Sequence, residues 1–359
     1  MKMLFLQPRI SYYIGGGELI PISQMIELKK RGHEIHLITT GTDKETEYFK
    51  KVKESKIKVY EPSNTKFFEK PLNDKDLFNF WKKESFDLQL KSRKIIKDIN
   101  PDILVSQHTL DLKFIERHPI VLNLHGIPDS RIEFYVSVLK KVDLIISVSD
   151  KIKAAWRRLY PEFSRKINIV IRNGIDTDFF KPRRVKKIYD IIYVGRLIKV
   201  KGVRKLIRSQ KNSRLKLIII GEGPEKQKLI DLSKKLDVDA KFMDYVNMEK
   251  LPYLYSESKI AVFPSLKREG ILTTMLEAMS CGVPVVTTTG GSMNEAINMG
   301  GGLIVLAGDI TALSKGISYL LERYRSFGKV ARNNIINNFS IKRNVDEIEK
   351  TYIKLVSSK

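Results

Sequence analysis

The apolar positions of this chain form short continuous runs that alternate with longer amphipathic segments such as Leu19–Lys30. Strands covered on both faces of a parallel sheet are continuously apolar, whereas the helices between them show an apolar residue every three to four positions. The strand–helix alternation predicts an α/β fold. The predicted strands are Met3–Leu6, Ile35–Ile38, Ile103–Val105, Ile120–Leu124, Leu144–Val148, Ile167–Ile171, Ile191–Val194, Leu217–Ile220, Ala240–Met243, Ile260–Phe263, Val283–Thr287 and Leu303–Val305.

The alternation is interrupted near residues 173–187. Asn173-Gly174 is typical of a turn, and the cation-rich stretch Phe179–Lys187 follows no regular period. We therefore expect a linker there between two domains, the first over residues 1–175 and the second over residues 176–340. Residues 341–359 include the predicted helix Ile341–Val356. One arrangement is that this helix returns to the first domain.

Composition and charge narrow the class of protein. The 359 residues are 42% hydrophobic and 30% charged, which excludes a disordered chain or a fibre. Lysine and arginine number 65 against 41 acidic residues, so the net charge is +24. Such an excess favours nucleic acid, anionic lipid surfaces or phosphorylated small molecules as ligands. No apolar run approaches the length of a membrane span, and the amino terminus lacks the pattern of a signal peptide.

The single cysteine, Cys281, cannot form an internal disulfide, which is typical of a protein of the reducing cytoplasm. We expect it to be a small buried residue. Histidines and cysteine show no metal-ligand spacing, so the sequence predicts no dedicated metal site. The histidines are His33, His36, His108, His118 and His125.

A glycine and two cations follow the first strand of the second domain. Gly195 and Arg196 come directly after Ile191–Val194, and Lys201 lies five residues beyond Arg196. Open α/β sheets bind ligands at the carboxyl ends of their strands, where arginine and lysine can hold a diphosphate. The alternative is a pair of solvated surface cations, and this local pattern does not decide between the two.

Two carboxylates flank the start of a predicted helix that begins near Ile271. Glu269 precedes that helix, and Glu277 lies two turns inside it. A helix amino terminus can bind a phosphate, and neighbouring carboxylates can accept hydrogen bonds from sugar hydroxyls. The alternative, which the pattern alone favours, is a capping carboxylate followed by a solvated helical glutamate.

The first domain offers two further candidates. Gly15-Gly16-Gly17 follows the first strand without the spacing of a dinucleotide fingerprint, so it could admit a second substrate or form a tight turn. His125 follows the strand Ile120–Leu124 and could contact a sugar, act in acid–base chemistry or make a structural hydrogen bond.

Taken together, these motifs resemble the retaining glycosyltransferases of the GT-B fold, specifically group 1, or glycosyltransferase family 4. The resemblance is spread over much of the chain, and the pair of glutamates eight residues apart is its most specific element. It implies two Rossmann-like domains that face each other across a cleft. The segments that carry it are Gly15–Gly17, Arg31–Ile35, Asn173–Asp176 with Phe180–Pro182, Val194–Leu197 with Lys201-Gly202, Gly221–Pro224, Pro264-Ser265, Glu269-Gly270 and Glu277–Val286.

The resemblance also implies a reaction and a set of site residues. A UDP-sugar or GDP-sugar donor would bind the second domain, and the acceptor would bind the first. Transfer would retain the anomeric configuration and require no metal. Arg196 and Lys201 would bind the diphosphate, Glu277 the ribose, and Glu269 the transferred sugar, which His125 would approach. Gly16 would lie near the diphosphate and acceptor, and the base would lie against Met243–Val246. Further donor-site residues are Gly195, Val246, Gly270, Ile271 and Leu272.

Two positions depart from the family pattern. Ile271-Leu272 replaces the aromatic and small residues that often follow the first glutamate, and Asp244 stands where glycine is common. Both bear on which donor is used. Family members act on lipids, polysaccharides, glycoproteins and small metabolites, so the acceptor stays open among glycan, lipid-linked and small-molecule classes.

A basic amphipathic helix bears on the possible partners. The segment Asp76–Asn100 is predicted to be helical, with apolar residues on one face and interleaved lysines, and Lys151–Arg158 adds Trp156. Such a surface could lie on an anionic membrane, or it could be a core-facing stripe with a solvated lysine face.

Two other classes of protein are weighed against the transferase. They are a GT-B-like sugar-nucleotide epimerase or phosphorylase and a basic nucleic-acid-binding protein. No helix-turn-helix, RNA-recognition or zinc-finger signature is present, so we expect no specific nucleic-acid partner.

Overall fold

The computed structural model describes residues 1–11, 16–42, 45–65, 74–107, 118–126, 128, 132–266 and 270–358. The chain divides into two compact units. The first comprises Met1–Gly174 together with Ile341–Lys359, and the second comprises Ile175–Ser340. Each unit is an α/β structure with one parallel sheet.

The first unit contains a seven-stranded parallel sheet in the order β3-β2-β1-β4-β5-β6-β7. Its strands are β1 Lys2–Leu6, β2 Glu34–Thr42, β3 Lys58–Thr65, β4 Ile103–Ser106, β5 Ile120–Leu124, β6 Leu144–Ser147 and β7 Ile167–Val170. Its first helices are α1 Gly16–Lys30, α2 Glu47–Glu54, α3 Asp74–Ile99, α4 Ile132–Leu139 and α5 Asp150–Leu159. The six strands predicted for this part of the chain are confirmed. The seventh, β3, was not predicted, because it is an edge strand that carries Pro62 and few apolar residues.

The second unit contains a six-stranded parallel sheet in the order β10-β9-β8-β11-β12-β13. Its strands are β8 Tyr189–Val194, β9 Leu217–Ile220, β10 Ala240–Met243, β11 Ser258–Phe263, β12 Val285–Thr288 and β13 Gly302–Val305. Its helices are α6 Val203–Ser209, α7 Lys226–Lys235, α8 Leu251–Ser256, α9 Thr273–Ser280, α10 Met293–Ile297, α11 Ile310–Glu322 and α12 Tyr324–Asn338. All six predicted strands are confirmed. Two apolar cores cover the sheet, so the inner strands are buried as their continuous apolar runs predict, whereas the edge strands β10 and β13 are only partly buried.

In both units the strand order reverses beside the first strand, which is the topology of a doubly wound Rossmann-like domain. In the first unit the reversal falls between β1 and β4, and in the second it falls between β8 and β11. These two points are where an open parallel sheet leaves a crevice at the carboxyl ends of its strands.

The irregular segment after residue 174 packs against the second unit. Phe180 is buried in its core, and Ile175 forms a parallel bridge with Ser340. The Arg332 guanidinium donates hydrogen bonds to the backbone carbonyls of Thr177 and Phe180. Within this segment, carbonyls that belong to no sheet or helix ladder are thus satisfied in part by the Arg332 side chain.

The last helix, α13 (Ile341–Ser357), belongs to the first unit and packs on α1. Arg31, at the end of α1, donates to Asp346 at 2.6 Å and to Glu349 at 2.8 Å. His33 Nε2 lies 2.6 Å from Glu349 Oε1, so this ring also holds α13. Arg31 and His33 thus hold α13 against the first unit.

The basic helix α3 turns its apolar stripe into the core of the first unit. Leu88, Ile96 and Ile99 are buried there, and Trp156 of α5 is buried in the same core. The α3 cations that remain exposed are Lys82, Lys83, Lys91, Arg93, Lys94 and Lys97. The core-facing interpretation of this helix is therefore confirmed. Among the helices that the structure describes, none is long and apolar enough to cross a membrane.

Candidate functional site

The carboxyl edge of the second unit's sheet brings several predicted residues to the same end of the fold. The loop after β8 carries Gly195, Arg196 and Lys201, and the loop after β11 leads through Gly270 into α9. Because β8 and β11 are neighbours at the reversal of strand order, these two loops border the crevice.

The loop after β8, residues 195–202, is held by backbone contacts with two neighbouring loops. Leu197 N donates to the Glu222 carbonyl at 2.7 Å, and Leu266 N donates to the Val200 carbonyl at 2.8 Å. The Tyr193 hydroxyl donates to the Arg196 carbonyl at 3.0 Å. The backbone that carries the two candidate cations is thus fixed from three sides.

Two glycines allow these loops to approach each other. Gly202 has φ +71°, and a Cβ there would lie 1.9 Å from the Pro264 carbonyl oxygen. At Gly221, with φ +144°, a Cβ would lie 2.1 Å from the Gly195 carbonyl oxygen. A side chain at either position would force the backbone apart, so the glycine pattern reflects close packing of the loops around the crevice.

The side chains of Arg196 and Lys201 differ in their surroundings. Arg196 is exposed, and within the described part of the chain no carboxylate forms an ion pair with it. Lys201 is half-buried at the end of the 3-10 turn Lys199–Lys201. Arg196 can therefore reach a ligand in the crevice without first breaking an ion pair with any described residue.

Glu277 is buried inside α9, with 5% of its surface exposed. The hydroxyl of Tyr255, on α8, donates to Glu277 Oε2 at 3.0 Å. Burial raises the pKa of Glu277 to about 7, and the hydrogen bond from Tyr255 opposes that rise. The alternative of a solvated helical glutamate, which the local pattern alone favours, is therefore wrong. Tyr255 was missed, because nothing local in the sequence pairs it with a residue on the next helix.

The start of α9 lies two residues later than predicted, at Thr273. Leu272 is the N-cap residue and supplies no side-chain acceptor to the first turn. Ile271 is buried, and Leu272 packs on the same core as Val246. Glu269 lies outside the described residues, so its predicted place beside the helix is not addressed by the structure.

The loop after β10 shows what replaces the family's glycine. Asp244 forms an ion pair with Lys226 of α7, and Tyr245 N donates to Glu222 Oε1 at 3.3 Å. Val246 is buried, with 8% of its surface exposed. This loop is therefore fixed to the loop after β9 by polar contacts.

The first unit places its own candidates at the carboxyl edge of its sheet. His125 follows β5, and its Nε2–H donates to Oε1 of Gln107, which follows β4, at 2.6 Å. The His125 Nδ1 atom is also buried. Gly16 is the first residue of α1, and Gly15 lies outside the described residues. The structural hydrogen bond considered for His125 is thus present.

Metal-ligating side chains do not cluster in the residues that the structure describes. Within those residues, no group of three or more histidine, cysteine, aspartate or glutamate side chains is placed to hold a metal ion. Cys281 is buried as predicted, and burial raises the pKa of its thiol.

The chain thus comprises two Rossmann-like α/β units, which is the domain content of the GT-B fold. Residues 174–339 match the family model described as Glycosyl transferases group 1, and residues 14–179 match the model of Glycosyltransferase Family 4. The two matches overlap and together span residues 14–339. The chain belongs to the group 1 glycosyltransferases.

Similar proteins agree with this family. The chain is 26% identical over 373 residues to N-acetyl-alpha-D-glucosaminyl L-malate synthase of Bacillus anthracis, with 94% of each chain covered. Among solved structures, sucrose-phosphate synthase from Thermosynechococcus elongatus superposes with a TM-score of 0.84, 16% identity and 99% coverage of both chains. Anabaena HepE in complex with UDP gives a TM-score of 0.77 at 20% identity, covering 99% of this chain and 100% of that one.

Proposed function

We propose that this protein transfers a sugar from a nucleoside-diphosphate-sugar to an acceptor hydroxyl, with retention of anomeric configuration and without a metal. The observation that carries the proposal is the set of groups at the carboxyl edge of the second unit's sheet. An exposed arginine, a nearby lysine, the amino terminus of α9 and a buried glutamate all belong to the loops and helix at the crevice.

The chemistry follows from the charge that develops during transfer. As the glycosidic bond breaks, negative charge grows on the leaving nucleoside diphosphate. Arg196 can bind a phosphate through two parallel hydrogen bonds, and Lys201 supplies a compact positive charge. The N–H groups of the first turn of α9 add donors that Leu272 does not cap. Cations and dipoles fixed in this way stabilise the departing diphosphate, which is the role that a metal ion has in other transferases.

The remaining roles rest on the family resemblance and on burial. Glu277 would accept hydrogen bonds from the ribose hydroxyls, and Glu269 would contact the transferred sugar. We assign the donor to the second domain and the acceptor to the first. In the first domain, Gly16 and His125 would lie toward the reacting groups. The UDP complex of the Anabaena protein makes UDP the first nucleotide to test.

The first experiment is thermal unfolding with UDP, GDP and ADP, each with and without EDTA. A nucleotide that binds only the folded protein at 100 times its Kd should stabilise it by about 2.7 kcal/mol. We expect one nucleotide to raise the melting temperature, EDTA to leave the shift intact, and Arg196→Ala/Lys201→Ala to abolish it. The absence of any shift in the wild type would contradict the proposed donor site.

Retention needs its own measurement. With the preferred donor and no acceptor, slow hydrolysis should release a sugar whose first-formed anomer NMR can identify before mutarotation. An α-linked donor should yield the α anomer. Release of the β anomer would contradict retention, and conversion of the donor into a sugar epimer would indicate an epimerase instead.

We also propose that the acceptor is presented at the cytoplasmic face of an anionic membrane. Support comes from the exposed lysines of α3 and from the net charge of +24. Because the apolar stripe of α3 is buried, the contact would be electrostatic and should weaken with salt. Liposome flotation tests it: binding to vesicles with anionic lipid at low salt is expected, and no binding would remove the proposal.

A further inference from the structure

A second group of cations in the second unit surrounds a cavity that the donor site does not use. This basic cavity has a volume of about 400 Å³ and lies between the loop that ends at Gly202, the helices α6 and α7, and Leu266. Its charged lining residues are Lys199, Arg204, Lys205, Lys228 and Glu225. Four cations and one carboxylate give the lining a charge of +3, and the volume is within the range of small-molecule sites.

The charges around the cavity are only partly compensated. The Glu225 side chain is 8% exposed and lies 3.5 Å from Arg204 and 3.8 Å from Lys228. Among the described residues, no carboxylate forms an ion pair with Lys199 or Lys205. Several like charges thus face one small volume, and an anion placed there would reduce their mutual repulsion.

The walls of the cavity are already formed. Gly202 packs against Pro264, and Leu266 N donates to the Val200 carbonyl at 2.8 Å. Val203 and Leu229 are each 2% exposed and contribute apolar lining. A preformed cavity loses little free energy in ordering when a ligand binds. Its mixed lining suits a ligand with an anionic group and a carbon body.

We propose that the basic cavity binds the phosphate group of a soluble small molecule, at a site separate from the diphosphate site of the donor. Arg196 and Lys201 are not among the described residues that line it. The cavity nevertheless shares Lys199 and Gly202 with the loop that carries those two residues. The proposal goes beyond the proposed function, because the cavity could bind its ligand whether or not the protein uses a nucleotide-sugar.

Equilibrium dialysis of radiolabelled pyrophosphate at constant ionic strength tests this site. The titration is made with saturating UDP, which fills the donor site, and again without UDP on Arg196→Ala/Lys201→Ala, in which the donor site should be lost. We expect one pyrophosphate per chain in both cases. Lys205→Ala/Lys228→Ala should weaken this binding at least tenfold, and Lys205→Arg/Lys228→Arg should retain it.

A matched control separates a built site from general surface charge. Lys211 and Lys216 are exposed in the same unit and do not line the cavity. Lys211→Ala/Lys216→Ala should therefore leave pyrophosphate binding unchanged.

Three outcomes would overturn the proposal. The first is that pyrophosphate binds in neither titration. The second is that Lys211→Ala/Lys216→Ala weakens pyrophosphate binding as much as Lys205→Ala/Lys228→Ala does. The third is that anionic vesicles bind through Lys205 and Lys228 while pyrophosphate does not bind. Failure of UDP to bind would count against the donor site alone, because the titration of Arg196→Ala/Lys201→Ala does not depend on UDP.

Discussion

Acidification should weaken nucleotide binding through Glu277. Burial raises the pKa of this carboxyl to about 7, so its charge changes near neutral pH. A ribose diol presents two O–H donors, and both oxygens of a carboxylate accept hydrogen bonds only when it is ionised. Under the proposed role, the ionised fraction of Glu277 therefore limits the affinity for nucleotide.

The size of the effect follows from the pKa. With a pKa of about 7, Glu277 is about one-tenth ionised at pH 6 and about nine-tenths ionised at pH 8. The nucleotide affinity should thus rise about tenfold between these values, which corresponds to about 1.4 kcal/mol. Because binding favours the ionised form, it should release a proton at pH 6, where the free protein still carries one.

The assay is isothermal titration calorimetry with UDP at pH 6, 7 and 8, on the wild type and on Glu277→Gln. The phosphate groups of UDP also titrate near this range, so the informative quantity is the ratio of the two affinities at each pH. We expect this ratio to fall about tenfold from pH 8 to pH 6. A ratio that does not change with pH would refute the argument.

A second variant changes the pKa of Glu277 while leaving its carboxyl group in place. Tyr255→Phe removes the hydrogen bond that holds the pKa of Glu277 down, so this pKa should rise and the affinity midpoint should move to higher pH. The variant should match the wild type at pH 9, where Glu277 is ionised in both. A uniform loss of affinity at every pH would indicate only a change in packing.

Three further predictions concern stability. Without ligand, urea titrations should show that Glu277→Gln raises the free energy of unfolding by up to about 3 kcal/mol at pH 8 but not at pH 4. The reason is that the pKa of Glu277 is higher in the folded than in the unfolded protein. Its contribution to stability is therefore present below the pKa of the unfolded protein and is lost as the pH rises through about 7. Gly202→Ala should destabilise more than Gly32→Ala, for which about 1–2 kcal/mol is expected, because both have positive φ but only Gly202 also meets backbone. Arg31→Ala should speed hydrogen exchange in α13 and leave α9 unchanged, because Arg31 binds two carboxylates of α13 and one of α1, and none of α9.

Most of the fold could be predicted because parallel strands leave a strong local signal. A strand buried on both faces is continuously apolar, and apolar runs predict twelve of the thirteen strands. The inner strands are buried, whereas the edge strands β7, β10 and β13 are only partly buried. The exception, β3, lies at a sheet edge, as β7, β10 and β13 also do, so its position alone does not explain why it was missed. Its polar residues and Pro62 are compatible with that position but hide the strand from a search for apolar runs.

The candidate site could be predicted only in part. Glycines and cations after strands are visible in the sequence, because they are local features at known positions. The contact between Gly202 and Pro264 and the hydrogen bond between Tyr255 and Glu277 join residues far apart in the chain. Such contacts depend on the packing of whole elements, and no spacing rule reports them.

Glu277 departs from what is ordinarily expected of a glutamate in a helix. A glutamate in a helix is ordinarily solvated, yet this one lies among the buried residues Met275, Leu276, Ala278 and Met279. Among the described residues no cation forms an ion pair with it, so its ionised form is costly to bury. Glutamine or an apolar residue would suit that environment better in the free protein. Under the proposed function, a ligand that donates hydrogen bonds to the carboxyl, as the hydroxyls of a ribose would, accounts for its presence there.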